Sequence, residues 1–389
     1  MSDAFALLVV GGGPAGLAAA RGYRAGGGAG PVAIITDEHR PPYRRPPLTK
    51  ELLRGESDES QLPLEDDDWY ERSAVSLVSG RVVALEARDR AVALSGGRHI
   101  AYGQCVLTAG AEPTRLPVPG SDHPRVRVVR TLDHMRELHR SVTPGEPVAV
   151  IGSGFIGCEI SSSLRMRGHP VALVSDEAAP NARRLGAEAG AAIRDWLAHD
   201  DVDLHLGAAV ERINHAGGVA TVCTGEARIP CRLVVMATGV RPRSELAAAA
   251  GIELADGAVP VTSAMRTGLD GLLAAGDVCR ADNAAAGRPL RVEHWGDALN
   301  QGEIAGRTAA GEEAQWDSVP GFWSTIGRRT LKYAAWGDGY EHERFERHRD
   351  GGFTVWYGGG GRLVGVLTHQ ADDDYERGRD LIGKGATWN

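Results

Sequence analysis

The stretch AFALLVVGGGPAGLAAA, residues 4–20, decides the fold. An unbroken apolar run ends in glycines and passes at once into an Ala-rich segment. Buried parallel strands read as continuous Val/Ile/Leu runs, and a glycine turn into a helix joins such strands to their crossovers. VAVIGSGFIG at 148–157 and CRLVVMATG at 231–239 repeat the same idea. The class is therefore α/β. From about Gly321 the pattern turns aromatic and alternating in LKYAAWG, FTVWYGG and RLVGVLT, which predicts antiparallel strands and a smaller third unit. Residues Ser79 to Leu94 alternate around Arg88 and Asp89 and predict a small antiparallel excursion within the first unit.

In the opening stretch Gly11, Gly13 and Gly16 stand in GxGxxG register, with Pro14 inside the turn. Glycine permits the tight turn and lets the backbone approach a pyrophosphate, whose charge then sits at the positive end of the helix. Asp37 follows the next strand, VAIIT, where an acid can accept hydrogen bonds from ribose hydroxyls. Gly152, Gly154 and Gly157 form a second copy, leading into a helix that begins around Ile156. One such motif is a weak signal; two in strand–turn–helix context are strong. After the strand PVALV the usual acidic position falls on Ser175, with Asp176 and Glu177 following and Arg183 and Arg184 further on. Acids there repel a 2′-phosphate, so the pattern favours NADH over NADPH. In chains with two such units the first usually holds FAD, and GLLAAGDV at 271–278 supports this, with Asp277 at the flavin end.

At 389 residues and 41.1 kDa the chain is too long for a single core. Apolar residues at 42% and charged residues at 24% match an ordinary globular protein. No apolar run approaches the roughly 18 residues of a membrane span, and Asp3 precedes the first strand, so neither a span nor a signal peptide is expected and a cytoplasmic location is. A net charge of −8 argues against general nucleic-acid binding. Cys105, Cys158, Cys223, Cys231 and Cys279 show no CxxC pair and no metal spacing, and read as core residues in a reducing compartment. The three lysines are Lys50, Lys332 and Lys384, which makes the place of each informative.

These residues resemble the two-dinucleotide flavoprotein reductases, and within them the ferredoxin reductases of bacterial oxygenase and cytochrome P450 systems, together with apoptosis-inducing-factor-like proteins. PPYRRPPLTKELLRGE at 41–56, LTAGAEP at 107–113, MATGVRP at 236–242, VRTLDHMREL, EHWGDAL and VPGFWS carry the likeness. It implies a glutathione-reductase-like architecture: two Rossmann-like dinucleotide-binding domains and a small α+β domain. The FAD-binding domain would comprise 1–112 and 240–316 and the NAD-binding domain 113–239, with 317–389 covering the flavin. The resemblance further implies FAD contacts from Gly11, Gly13, Pro14, Gly16, Asp37, Arg45, Lys50, Val82, Ala109, Arg130, Asp277 and Trp295, Val82 lying near the adenine. Nicotinamide dinucleotide contacts would come from Gly152, Gly154, Ile156, Gly157, Glu159, Asp176 and Gly239. Lys50 would lie beside flavin N5, with Glu159 approaching it and the nicotinamide.

A buried ammonium at that place would stabilise negative charge growing on the reduced flavin, and would need a carboxylate partner. The bland alternatives are a solvated lysine capping a loop, a surface helix position for Glu159 and an ordinary core position for Trp295. No cysteine lies between Gly16 and Gln104, so the dithiol or single active thiol of related disulfide reductases is absent. Electrons must then leave from the flavin itself, which suits a [2Fe–2S] ferredoxin acceptor. An NADH oxidase, a small-molecule reductase or an apoptosis-inducing-factor-like protein are the alternatives. One departure from the pattern is Thr325-Ile326 after Phe322-Trp323-Ser324, where the family commonly has Asp-Gln. Arg328, Arg329 and Lys332 behind it read either as a basic patch for an acidic ferredoxin or as a solvated strand-edge cluster.

Overall fold

The computed structural model describes residues 3–388. Its first sheet runs, in spatial order, Val75–Ser79, Val32–Thr36, Asp3–Val10, His99–Leu107 and Leu272–Ala274, all parallel. Strand His99–Leu107 uses its outer edge twice. Its first residues pair antiparallel with Ala91–Leu94, and its last ones pair parallel with Leu272–Ala274. Ala91–Leu94 in turn forms a hairpin with Val82–Glu86, so the alternating stretch around Arg88 and Asp89 is the antiparallel excursion its pattern predicts.

The second sheet, in order Asp203–His205, Val171–Val174, Val148–Ile151, Leu233–Met236 and Val126–Val128, is wholly parallel. All residues of its three central strands are buried, which is why they are short and purely apolar. The two sheets repeat one register. Val10 lies between Ile35 and Leu107, and Ile151 lies between Val174 and Met236. Each glycine turn therefore begins one residue beyond matching rungs, at the carboxyl edge of its sheet, where open α/β sheets bind ligands.

Two chain crossings join the sheets, and they run side by side. Ala111–Pro113 pairs antiparallel with Val240–Pro242. Thr114 Oγ1 donates to the Thr238 carbonyl at 3.1 Å, and Thr238 Oγ1 donates back to the Thr114 carbonyl at 2.8 Å.

The C-terminal sheet is antiparallel, ordered Gly321–Ile326, Arg329–Ala335, Arg362–His369, Phe353–Gly359 and His342–Arg347, with helix Asp372–Gly383 packed on it. The three strands read from the aromatic alternation are present. The edge strand His342–Arg347 escaped that reading because its sequence, HERFER, is charged and largely exposed, as edges that avoid pairing with other chains often are. Among the described residues, no helix is long and apolar enough to cross a membrane.

Helices Pro14–Ala25 and Trp295–Ala309 pack backbone against backbone. A side chain on Gly302 would strike the Ala15 carbonyl, one on Gly306 the Ala19 carbonyl, and one on Gly22 the Glu303 carbonyl. This contact fixes the start of the later helix beside the first glycine turn. Gly306→Ala is expected to cost about 1–3 kcal/mol by overpacking, read as a lower midpoint in chemical denaturation. Gly268→Ala, where an added Cβ meets nothing within 4 Å, serves as the control and should stay within about 0.5 kcal/mol of the parent.

Candidate active site

The two glycine turns are equivalent atom for atom in what they exclude. Gly11 and Gly152 take φ of +125° and +103°, a region that side chains rarely adopt. A Cβ on Gly11 would strike the Thr108 carbonyl, and one on Gly152 the Ala237 carbonyl; these are the residues that follow the paired rungs Leu107 and Met236. A Cβ on Gly16 or Gly157 would strike the carbonyl of Gly11 or Gly152. Gly13 and Gly154 differ from the rest: a Cβ there would meet nothing within 4 Å. They are the N-caps of helices Pro14–Ala25 and Phe155–Met166, neither helix has a side-chain cap, and the first turn of each lacks an acid. Unsatisfied N–H groups thus face open space at two helix N-termini, the condition for receiving a pyrophosphate. Thr108 Oγ1 braces the first turn by donating to the carbonyls of Val10 and Gly11, at 3.1 and 3.0 Å. Ala109 follows it, partly buried against the core, and Gly239 stands in the matching crossing.

Lys50 and Glu159 form the central feature of the structure. Lys50 Nζ lies 3.0 Å from Glu159 Oε2, and the two residues are only 5% and 2% exposed. Both solvated alternatives for these residues are thereby ruled out. Lys50 follows the 3₁₀ turn Pro46–Thr49, and Glu159 sits one turn into the helix that starts at the second glycine motif. Thr49 Oγ1 donates to the same Oε2 at 2.5 Å, and Ser324 Oγ donates to Oε1 at 2.7 Å. One carboxylate therefore accepts from residues on the first unit, with a third donor from the C-terminal sheet. Ser163 Oγ donates to the Thr49 carbonyl at 2.7 Å, adding a second tie between the same helix and turn.

A polar chain links Asp277 to Glu38 through Arg130 and Arg45. Arg130 Nη2 donates to buried Asp277 at 2.6 Å, and Arg45 Nη1 donates to the Arg130 carbonyl at 2.9 Å. Arg45 Nη2 and the Tyr43 hydroxyl both donate to Glu38, each at 2.5 Å. Burial is the main force that pushes the Tyr43 phenol up to about 12, opposed by Arg45 and reinforced by Glu38, so it stays a neutral donor at neutral pH. Asp37, exposed, lies 3.6 Å from Arg243. Val82 begins the hairpin strand beyond Gly80, whose N–H donates to the Thr36 carbonyl at 2.9 Å, so it stays close to the Asp37 end of that strand. Trp295 is partly buried as the first residue of helix Trp295–Ala309. Ile156, by contrast, is 46% exposed beside the second turn, and Asp176 is exposed next to Arg183 at 2.8 Å.

The sequence assigned no role to several residues at this junction, although EHWGDAL and VPGFWS contain them. Phe322 stacks edge-on against Phe155 at 4.7 Å and tilts against His294 at 4.6 Å. His294 Nδ1 lies 3.1 Å from Asp297. The nearest sequence signals were adjacency alone: Thr49 before Lys50, Glu38 after Asp37, and Ser324 within VPGFWS. The basic cluster behind that segment is largely neutralised. Arg329 pairs with Asp200 at 3.0 Å and lies over the Trp196 ring, while Lys332 pairs with Asp372 at 2.8 Å. An open depression of about 910 Å³ lies between Lys332 and Asp372–Asp374, and neither glycine turn contributes to its lining.

All five cysteines are free and buried. Burial pushes Cys105 up to about 12 and Cys231 up to about 11, and it also raises Cys158 and Cys279. None of these four is poised as a redox thiolate.

Two glycine turns of the same build on two α/β sheets, with a buried ion pair between the second turn's helix and the segment after the first, define the fold of a two-dinucleotide oxidoreductase. The chain belongs to the pyridine nucleotide-disulphide oxidoreductase family, whose pattern matches residues 5–302. It is 31% identical to a rubredoxin-NAD(+) reductase of Pseudomonas putida over 332 residues, covering 84% of this chain and 86% of that one. The crystal structure of a ferredoxin reductase for the CYP199A2 system of Rhodopseudomonas palustris matches with a TM-score of 0.93 at 29% identity, covering 100% of this chain and 96% of the other. The reductase of a covalent putidaredoxin reductase–putidaredoxin complex matches with a TM-score of 0.91 at 26% identity, covering 98% and 93%.

Two expected outcomes follow from the burial pattern. Because removing one partner strands a buried charge, Lys50→Met and Glu159→Gln are each expected to cost about 3–5 kcal/mol. The double variant should lose clearly less than the sum, and a denaturant double-mutant cycle showing simple additivity would refute the pairing. A thiol-reactive chromophore at pH 8 should modify no cysteine in the native protein and all five in denaturant; rapid modification of the native fold would contradict the burial.

Proposed function

We propose that the chain is an FAD-dependent NADH oxidoreductase that passes electrons singly to a small iron–sulfur protein, a [2Fe–2S] ferredoxin. The observation that carries this reading is the Lys50–Glu159 pair, held between the two glycine turns and shut off from water. The relatives support it: they are reductases of rubredoxin and of P450-system ferredoxins, and one is a complex with putidaredoxin. FAD lies on the Gly11–Gly16 turn and NADH on the Gly152–Gly157 turn. The FAD-binding domain is then split, 1–112 with 240–316, around the NAD-binding domain at 113–239, and residues 317–389 close over the flavin. A cytoplasmic location fits five unpaired cysteines.

The residues fit the flavin. Gly13 leaves open space at a helix N-terminus, Arg45 and Arg130 bring positive charge beside that turn, and Asp277 offers a buried acceptor. Bound flavin supplies the change from a two-electron hydride donor to a one-electron acceptor. Lys50 holds a positive charge where reduction builds negative charge, and Glu159 keeps that ammonium compensated and oriented. Thr49 and Ser324 fix the carboxylate in turn. Trp295, Ile156 and Phe322 limit water at the junction. Glu38 holds Arg45 in place through its direct ion pair. With every thiol buried, no dithiol carries electrons onward.

The test is anaerobic stopped-flow reduction of the purified yellow protein. NADH should reduce the bound flavin faster than NADPH does, and a [2Fe–2S] ferredoxin should couple that reduction to cytochrome c. Lys50→Met should keep FAD while slowing hydride transfer by about 10²–10³-fold, the size of losing one preorganised electrostatic contact. A colourless protein that takes up no FAD, or wild-type rates in Lys50→Met, would sink the assignment.

A further inference from the structure

The proposed reaction leaves one proton over. Each NADH hands on a hydride, which is two electrons and one proton, and each of two ferredoxins takes a single electron. NADH and two oxidised ferredoxins therefore give NAD⁺, two reduced ferredoxins and one proton. That proton must leave a junction whose charged pair is shut off from water. Lys50 and Glu159 are 5% and 2% exposed, and both carboxylate oxygens are taken. The exit needs a base with one side at the junction and the other near solvent.

His294 has that placement. Phe155 and Glu159 lie four residues apart on one helix face, and Phe322 and Ser324 lie two apart on one strand face. Their contacts, Phe155 on Phe322 and Ser324 to Glu159, are neighbouring rungs of one interface. His294 packs on the same Phe322 ring at 4.6 Å, so it borders that interface. Its side chain is 17% exposed, while that of Asp297 is 7% exposed. His294 Nδ1 donates to Asp297 Oδ2 at 3.1 Å, and the same oxygen accepts from the Gly321 N–H at 3.3 Å. A carboxylate on Nδ1 fixes that nitrogen as the protonated one and leaves Nε2 as the acceptor, and its charge compensates an imidazolium when one forms.

The other titratable groups around the ring do not compete. Tyr333, on Phe322 at 5.5 Å, is pushed up to about 12 by burial above all. Burial also raises Tyr375 of helix Asp372–Gly383, whose hydroxyl stands beside Gly321. Arg291 and Glu293, just before His294, are paired with each other at 2.7 Å.

Resting on the reading that flavin and nicotinamide meet at this junction, we propose that His294 is the proton exit of the reaction and that Asp297 positions it. His294 Nε2 accepts the proton left when the second electron departs, and an Nε2–H bond forms. That bond breaks when water takes the proton, and the ring returns to its starting form with nothing oxidised or reduced. Asp297 stays ionised throughout and acts through the ring it orients.

The experiment separates the two half-reactions of the FAD-loaded protein. Anaerobic stopped flow follows reduction by NADH and, separately, reoxidation of the reduced protein by ferricyanide, a one-electron acceptor. Both are read across a pH series, with an indicator dye in weak buffer reporting proton release. His294→Gln should be reduced at close to the wild-type rate, because hydride arrival releases no proton. It should reoxidise about 10²-fold more slowly, the size of a lost general base, with proton release lagging in step and added imidazole restoring much of the rate. The wild-type reoxidation rate should fall on acidification, and that fall should be absent from the variant. Asp297→Asn should show the same pattern at smaller size. In the resting protein, ¹⁵N-labelled histidine should report His294 as its Nδ1–H form, and Asp297→Asn should lose that preference. Equal slowing of both half-reactions marks a structural role and overturns the proposal, as does reoxidation at the wild-type rate. Should His294→Gln take up no FAD, wild-type reoxidation in Asp297→Asn despite a lost Nδ1–H form overturns it instead. Failure of the underlying reading looks different: wild-type protein is then not reduced by NADH at all.

Discussion

The structure depends on one carboxylate. Glu159 belongs to the helix of the second glycine turn, yet its two oxygens are taken by Lys50 and Thr49 from the segment beyond the first turn and by Ser324 from the C-terminal sheet. A charge buried this completely is tolerable only when it is compensated and hydrogen-bonded. Each of its donors must therefore be present at once, and that requires all three sheets to be in place. Displacing the Lys50 segment would strand a charge, and displacing the C-terminal sheet would leave a carboxylate oxygen without its hydroxyl donor. The geometry around Glu159 and the assembly of the fold are in this way the same requirement.

The doubled glycine turn gives the two sheets the same opening at their carboxyl edges. Both turns emerge at the carboxyl edge of parallel sheets with the same register, and the paired crossings 111–113 and 240–242 tie the sheets together beside them. The later helix, Trp295–Ala309, could not lie against the first turn without its glycines, because no side chain fits against the Ala15 and Ala19 carbonyls. Close backbone packing thus carries His294, Asp297 and Trp295 to the junction, where Phe322 links them to Phe155 on the other unit.

Charge on the C-terminal sheet is arranged for internal ties more than for display. Arg329 bonds Asp200 across to the second unit, Tyr357 donates to the Leu185 carbonyl at 2.8 Å, and Lys332 is answered by Asp372. These contacts dock the sheet so that Ser324 can reach Glu159. Exposed Trp323, 46% accessible, stands next to Ser324 on the edge strand.

The sequence alone determined the class of fold, the two dinucleotide turns and the pair Lys50 and Glu159 as the residues of interest. Those properties are local: a glycine between an apolar strand and a helix has few other uses, and a motif such as PPYRRPPLTK is read in one window. Tertiary structure alone decided what answers those residues. Ser324 lies 165 positions from Glu159 and Thr49 lies 110, and a hydroxyl has no pattern that marks its distant partner. It also set Asp176 level with Asp37 and Ser175 level with Thr36, because strand register, which counts rungs across a sheet, is invisible along a chain. The paired state of Arg329 and Lys332 was equally out of reach, since an ion pair is set by which elements pack together and not by the charges in one strand.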